Sequence, residues 1–67
     1  MSTKPQFKIN NLGVPVFDDG WFGASLDVDT GHWYSFECDE VNGDIIRDDK
    51  PHAIPVDAYN YARELFG

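Results

Sequence analysis

Residues 22–38 read FGASLDVDTGHWYSFEC, two alternating apolar and polar stretches on either side of Asp29-Thr30-Gly31. A type I turn followed by a left-handed glycine makes a three-residue hairpin loop of this composition. With 29–31 as the loop, Val28 faces His32, Leu26 faces Tyr34, Ala24 faces Phe36 and Phe22 faces Cys38. Directly opposed residues share a face, so the even-numbered residues form one apolar face. A two-residue Thr30-Gly31 loop would set Asp27 against Tyr34 and mix the faces, so register favours the three-residue loop.

Working outward, Asp18-Asp19-Gly20 repeats the same turn chemistry. With it as the loop, Val16 faces Phe22, Val14 faces Ala24 and Leu12 faces Leu26, again on even numbers. Pro15 cannot donate a ladder hydrogen bond, which predicts an edge strand here. The third turn, Val41-Asn42-Gly43, suits either a two-residue Asn42-Gly43 loop or a three-residue one. The three-residue form is favoured because it sets Ile46 against Cys38 and Arg47 against Glu37. Beyond Pro51 and Pro55, Val56, Tyr59, Ala62, Leu65 and Phe66 recur at spacings of three or four, a helical period. Pro55 and Asp57 suit the N-terminal turn of that helix and Arg63 its other end.

The expected fold is α+β, one domain over residues 1–67. It is an antiparallel β-meander of three or four strands followed by one C-terminal α-helix packed on the even face. Strands are predicted at about 12–17, 21–28, 32–40 and 44–47, a helix at about 56–66, and fraying at about 1–8.

The chain of 67 residues carries 12 Asp+Glu against 5 Lys+Arg, a net charge of −7. A chain of this length excludes large enzyme scaffolds such as Rossmann folds and TIM barrels. Its single cysteine, Cys38, excludes an intramolecular disulfide. No apolar run reaches membrane-spanning length and Met1–Lys8 lacks the apolar stretch of a signal peptide, so a soluble cytoplasmic protein without membrane contact is expected. Residues 17–49 hold ten of the twelve acids and only one base, Arg47, a local charge of −9 against +2 for the remainder. These acids are interleaved with Trp21, Phe22, Trp33, Tyr34 and Phe36, which argues for a folded acidic surface rather than a disordered tail.

Enzymatic and metal chemistry find little footing. Asp29-Thr30-Gly31 matches the tripeptide of aspartic proteases, but those need two such aspartates sharing a proton, and a tight turn explains the tripeptide more simply. Asp27-Val28-Asp29 begins like a calcium loop, yet Gly31 falls one position early and Cys38 stands where the loop-closing glutamate belongs. His32, His52 and Cys38 lack zinc-ligand spacing. Cys38 and His32 share a face but lie about 20 Å apart along a strand, too far to share a proton. No glycine-rich phosphate loop is present. A protein without enzymatic activity, cofactor or metal is expected.

If the helix covers the even face, the odd face presents Trp21, Trp33, Asp27, Glu37 and Asp39, with Asp18, Asp19 and Asp29 at the turns. These eight residues are the candidate partner-binding set: carboxylates to meet a basic surface, tryptophans to anchor it. A domain of this charge repels nucleic acid directly but is attracted to proteins that bind it. In size, acidity and lack of enzymatic motifs the chain resembles small phage-encoded inhibitors of host defence, the anti-CRISPR and DNA-mimic proteins. That resemblance is compositional and covers the whole chain. It implies stoichiometric blockade of a nucleic-acid-binding protein or complex in the host cytoplasm. The alternative is an accessory subunit that docks on a larger protein without displacing nucleic acid.

Overall fold

A computed structural model describes residues 4–39 and 44–67. Five strands, β1 (Gln6–Ile9), β2 (Pro15–Asp18), β3 (Phe22–Leu26), β4 (Trp33–Asp39) and β5 (Asp44–His52), precede one helix, α1 (Pro55–Phe66). The strands form a single antiparallel sheet in chain order, β1-β2-β3-β4-β5. The architecture is α+β, as expected, with one or two strands more than anticipated.

The additional strand lies in the stretch expected to fray. Asn10 folds it back: its Oδ1 accepts the N–H groups of Leu12 (2.9 Å) and Val14 (3.0 Å), and Gly13 adopts φ +79°. This side-chain-closed turn returns the chain along β1. Pro15 is consequently not on an edge strand, since β2 lies between β1 and β3. It is tolerated as the first residue of its strand, opposite Ile9.

Both expected glycine turns form, with Gly20 at φ +98° and Gly31 at φ +77°, but each closes on a different pair. Asp27 N–H donates to the His32 carbonyl (2.8 Å), and the Asp27 carboxylate accepts Asp29 N–H (3.0 Å). The loop is thus Val28 to Gly31, one residue longer than expected, and Leu26 faces Trp33 instead of Tyr34. In the first turn the Asp19 carboxylate accepts N–H groups from Trp21 and Phe22, both at 2.9 Å. The chain reverses after Asp19, so Val16 faces Ser25 and not Phe22. In the third hairpin Cys38 faces Ile45, and Glu37 faces Ile46, one residue from expectation; its turn residues 40–43 lie outside the described residues.

Every one of these slips is an odd number of residues, and an odd slip moves side chains to the opposite face. The expected all-even apolar face therefore does not exist. One row across the sheet is Phe7, Phe17, Ala24 and Ser35. The helix packs on this row: Ser35 Oγ donates to the Ala58 carbonyl at 2.6 Å, and Phe17 meets the Tyr59 ring edge-on at 5.8 Å. The opposite face carries the row Gln6, Asp18, Gly23, Phe36 and Arg47, with Lys8, Val16, Ser25, Tyr34 and Pro51 beside it. Phe36, Tyr34, Cys38 and Val16, expected beneath the helix, thus lie away from it. Trp33 and Glu37, expected on the outer face, share the helix side.

The helix begins with Pro55 at its first turn and Asp57 close behind, and Gly67 N–H closes its end on the Arg63 carbonyl (3.0 Å). Ala58, Tyr59 and Ala62 are its buried residues, so the sheet-facing stripe is narrower than the one drawn from Val56 and Leu65, which stay exposed.

On the far face, Gly23 is indispensable for packing. A Cβ there would collide with Asp18 Cβ and come within 2.6 Å of Phe36 Cζ. Its absence lets the Phe36 ring lie across β3 toward Asp18. Gly23→Ala is expected to destabilise the fold by about 1–3 kcal/mol, the usual cost of overpacking. In a domain of this size that lowers Tm by about 4–8 °C per kcal/mol. Thermal unfolding measures it, and Phe36→Leu in the same chain should recover part of the loss by coupling.

Candidate functional site

The eight candidate partner-binding residues do not gather on one face. Asp18 is 8% exposed on the face away from the helix and pairs with Lys8 Nζ at 3.1 Å. Asp19 serves the first turn and the helix together, because its second oxygen accepts the Tyr59 hydroxyl at 2.6 Å. Trp21 is 56% exposed beside that turn, and its carbonyl accepts Cys38 N–H at 2.8 Å. Trp33 is half-buried against Phe7, ring centres 6.2 Å apart. Glu37 is half-buried on the helix side, between Phe22 and Ile46 in register. Asp39 ends β4 opposite Asp44. Asp27 and Asp29 sit in the β3–β4 turn, Asp29 exposed and Asp27 half-buried.

Two other groupings appear in their place. The first is an acidic end. Leu26, Trp33 and His52 lie in one row, so the β3–β4 turn, the end of β5 and the start of α1 share one end of the sheet. That end gathers Asp27, Asp29 and Asp57 with the exposed apolar residues Val28, Ile54 and Val56. Asp48 and Asp49 adjoin it along the outer strand β5, where the ladder with β4 shifts between Tyr34 and Phe36. Asp48 is held by its own chain, accepting Lys50 N–H at 3.0 Å. Sequence reasoning counted Asp48 and Asp49 in the acidic segment but did not place them in a site, because their strand was expected to stop at 47.

The second grouping is a groove of about 510 Å³ on the sheet face away from the helix. Val16 and Phe36 form its buried floor, the Asn10–Val14 turn walls one side, and Lys8, Asp18, Ser25 and Arg47 contribute polar groups. It went unseen in the sequence because the expected register turned Val16 and Phe36 toward the helix.

Among the described residues Lys8–Asp18 is the only ion pair, and no three His, Cys, Asp or Glu side chains are grouped to hold a metal ion. No helix among them is long and apolar enough to cross a membrane. Comparison with protein families, with characterised proteins and with solved structures finds no match to this chain.

The Asp19–Tyr59 bond links the first turn to α1 and makes both groups sensitive to pH. Burial, the largest influence on Asp19, pushes its carboxyl up. The Phe22 N–H, the Tyr59 hydroxyl, the Trp21 N–H and the Arg63 charge outweigh it and hold the carboxyl below the usual aspartate value. Burial first, then the hydrogen bond and charge of Asp19, push the Tyr59 hydroxyl up, against a smaller opposing pull from Arg63. A depressed carboxyl stabilises the fold above its unfolded pKa, and that stability is lost as pH falls through the folded value. A raised phenol stabilises below its unfolded pKa and loses its contribution as pH rises through the folded value. Asp19→Asn should therefore flatten the acid limb of stability against pH, and Tyr59→Phe the alkaline limb. Urea midpoints from about pH 3 to about pH 11, bracketing the ordinary Asp and Tyr values, test both. Asp19→Ala, which removes three acceptor contacts, should cost about 1–3 kcal/mol at neutral pH.

Proposed function

We propose that this chain is a non-enzymatic protein ligand whose acidic end docks on a basic surface of a nucleic-acid-binding protein or complex and blocks it, in the manner of anti-CRISPR and DNA-mimic inhibitors. The observation that carries the reading is the lack of internal compensation. In a chain of net charge −7, the only ion pair among the described residues is Lys8–Asp18. The carboxylates of Asp27, Asp29, Asp48, Asp49 and Asp57 have no cation at ion-pair distance there, and their field is available to a partner. Asp27 and Asp48 are further fixed by backbone N–H groups, which lowers the entropy lost when they are engaged.

Anchoring falls to apolar side chains. Exposed ion pairs each give only about 0–1 kcal/mol, so a stable complex needs desolvated contacts. Val28, 70% exposed, with Ile54 and Val56, provides them at the same end. This revises the anchor from the tryptophans: Trp33 packs inward, and Trp21 belongs to the turn at the other end of β3. Charge then governs the rate of encounter and the apolar contacts the rate of release. The same apolar residues would equally serve an accessory subunit, the second reading, and competition separates the two.

The test is affinity capture of partners from host lysate in the cytoplasmic setting proposed, followed by titration of the captured protein with DNA and RNA. Blockade predicts that nucleic acid displaces the chain; an accessory subunit would remain bound. Asp29→Lys with Asp49→Lys, both exposed and with carboxylates that accept no hydrogen bond among the described residues, should weaken binding by about tenfold. Wild-type affinity should also fall as salt rises. Binding that is unchanged by the two reversals and by salt would sink the proposal.

A further inference from the structure

We propose that the groove on the sheet face away from the helix binds a small amphipathic monocarboxylate, an apolar body carrying one anionic head. This site is separate from the acidic end and does not depend on the docking proposed there.

The argument rests on which groups in the groove the protein itself leaves unsatisfied. Lys8 and Asp18 satisfy each other at 3.1 Å, so their charges cancel. Arg47 is different: it has no carboxylate at ion-pair distance among the described residues, and its guanidinium lies over the Tyr34 ring, 5.7 Å from its centre. Ser25 Oγ is buried and has no hydrogen-bond partner within the protein. Ser25 directly faces Tyr34 in the ladder, so hydroxyl and guanidinium flank the same residue. The groove thus holds a net positive charge within a strongly negative protein, next to a buried hydroxyl whose unmet hydrogen bond is costly.

The remaining surface is apolar. Val16 and Phe36 floor the groove, and Leu12, 87% exposed on the Asn10–Val14 turn, stands at its wall. A volume of about 510 Å³ falls within the range of small-molecule sites. A carboxylate can take two parallel guanidinium N–H bonds from Arg47 and the Ser25 hydroxyl proton. Its apolar body then lies over the already buried Val16 and Phe36 and takes its exposed apolar contact from Leu12. A cationic ligand would face Arg47 and Lys8, and a purely apolar one would leave Arg47 unpaired and Ser25 Oγ as unpartnered as it already is. Linear and aromatic acids share the required chemistry.

The 15N-labelled full chain is titrated with octanoate, with 1-naphthoate and with 1-octanol, following backbone amide shifts. The expected result is saturable shifts centred on Val16, Ser25, Phe36 and Arg47 for at least one acid, with affinity on the order of tenfold above that of 1-octanol. Octanoate alone binding would identify a linear body, and 1-naphthoate alone an aromatic one. Arg47→Met should weaken acid binding on the order of tenfold and leave 1-octanol unchanged, and Ser25→Ala should weaken the acids by a smaller factor. Arg47 is exposed, so its replacement leaves the fold intact. The proposal is overturned if neither acid gives saturable shifts at millimolar concentration. It is also overturned if the shifts map to the helix face, if 1-octanol binds as well as octanoate, or if Arg47→Met binds the acids as tightly as the parent chain.

Discussion

The hydrogen bond from Ser35 Oγ to the Ala58 carbonyl ties the helix directly to the sheet at a fully buried point. It exists because the seam is built from small side chains: Ala24 and Ser35 on the sheet, Ala58 and Ala62 on the helix, all four fully buried. Small residues bring backbone to backbone, and only then can a serine reach a helical carbonyl. Larger aromatics fill the space beside the seam. Phe7 packs on Phe17 with ring centres 4.5 Å apart and reaches Trp33 at 6.2 Å, although two strands lie between β1 and β4. That contact across the sheet requires Ala24 between the rings to be small, and a twisted sheet to bring one diagonal together. Tyr59 continues the cluster and fastens its hydroxyl to Asp19.

A sheet with one helix leaves a second face to be covered by other means, and here the chain covers it with its own turn and one aromatic ring. The Asn10–Val14 turn flanks it, and Phe36 lies over Gly23, leaving Val16, Phe36 and Asp18 buried on a face with no helix. Burial of Asp18 is made tolerable by Lys8, whose flexible stem lets the ammonium reach the carboxylate from the neighbouring strand. The two faces are therefore finished differently. One is sealed by α1, and the other is only partly closed, with Ser25 Oγ unpartnered and Arg47 over the Tyr34 ring in no ion pair among the described residues.

The class of fold was legible because it depends on coarse signals. Proline at residue 55 and apolar spacing of three or four announced the helix, and glycines 20 and 31 adopt the left-handed conformation expected of them. Face assignment was not legible, because it depends on one residue per turn. Asp27 reads as the tail of a strand and Asp19 as an ordinary loop residue, yet the Asp27 carboxylate accepts Asp29 N–H and the Asp19 carboxylate those of Trp21 and Phe22, where each hairpin closes. Alternation could not detect the error: Phe36 and Ser35, or Trp33 and Tyr34, are both acceptable to a sheet whose two faces are each partly apolar. Asn10 was the available clue to β1. An Asn three residues before a glycine is a turn signal, and the strand predicted at about 12–17 begins inside that turn. The acidic surface was legible as a segment and not as a place, since β5 extends beyond residue 47 and carries Asp48 and Asp49 along the outer strand.

The distribution of charge follows from this topology and runs against stability. Like charges gathered on a small domain repel one another, and a compact state of net charge −7 bears that cost with a single ion pair among its described residues. Four of the five Lys and Arg side chains are engaged elsewhere. Lys8 is engaged with Asp18, Arg47 and Lys50 lie over the rings of Tyr34 and Tyr61, and Arg63 lies over that of Tyr59. Each of these contacts holds a cation against an aromatic face or a buried carboxylate, and none of the four is in an ion pair with Asp29 or Asp49. Added salt, by screening the repulsion, should favour the folded state while weakening attachment to a basic partner. Stability is thus expected to rise with salt, opposite in sign to the salt response that the proposed docking requires, and the two responses can be measured separately on the same chain.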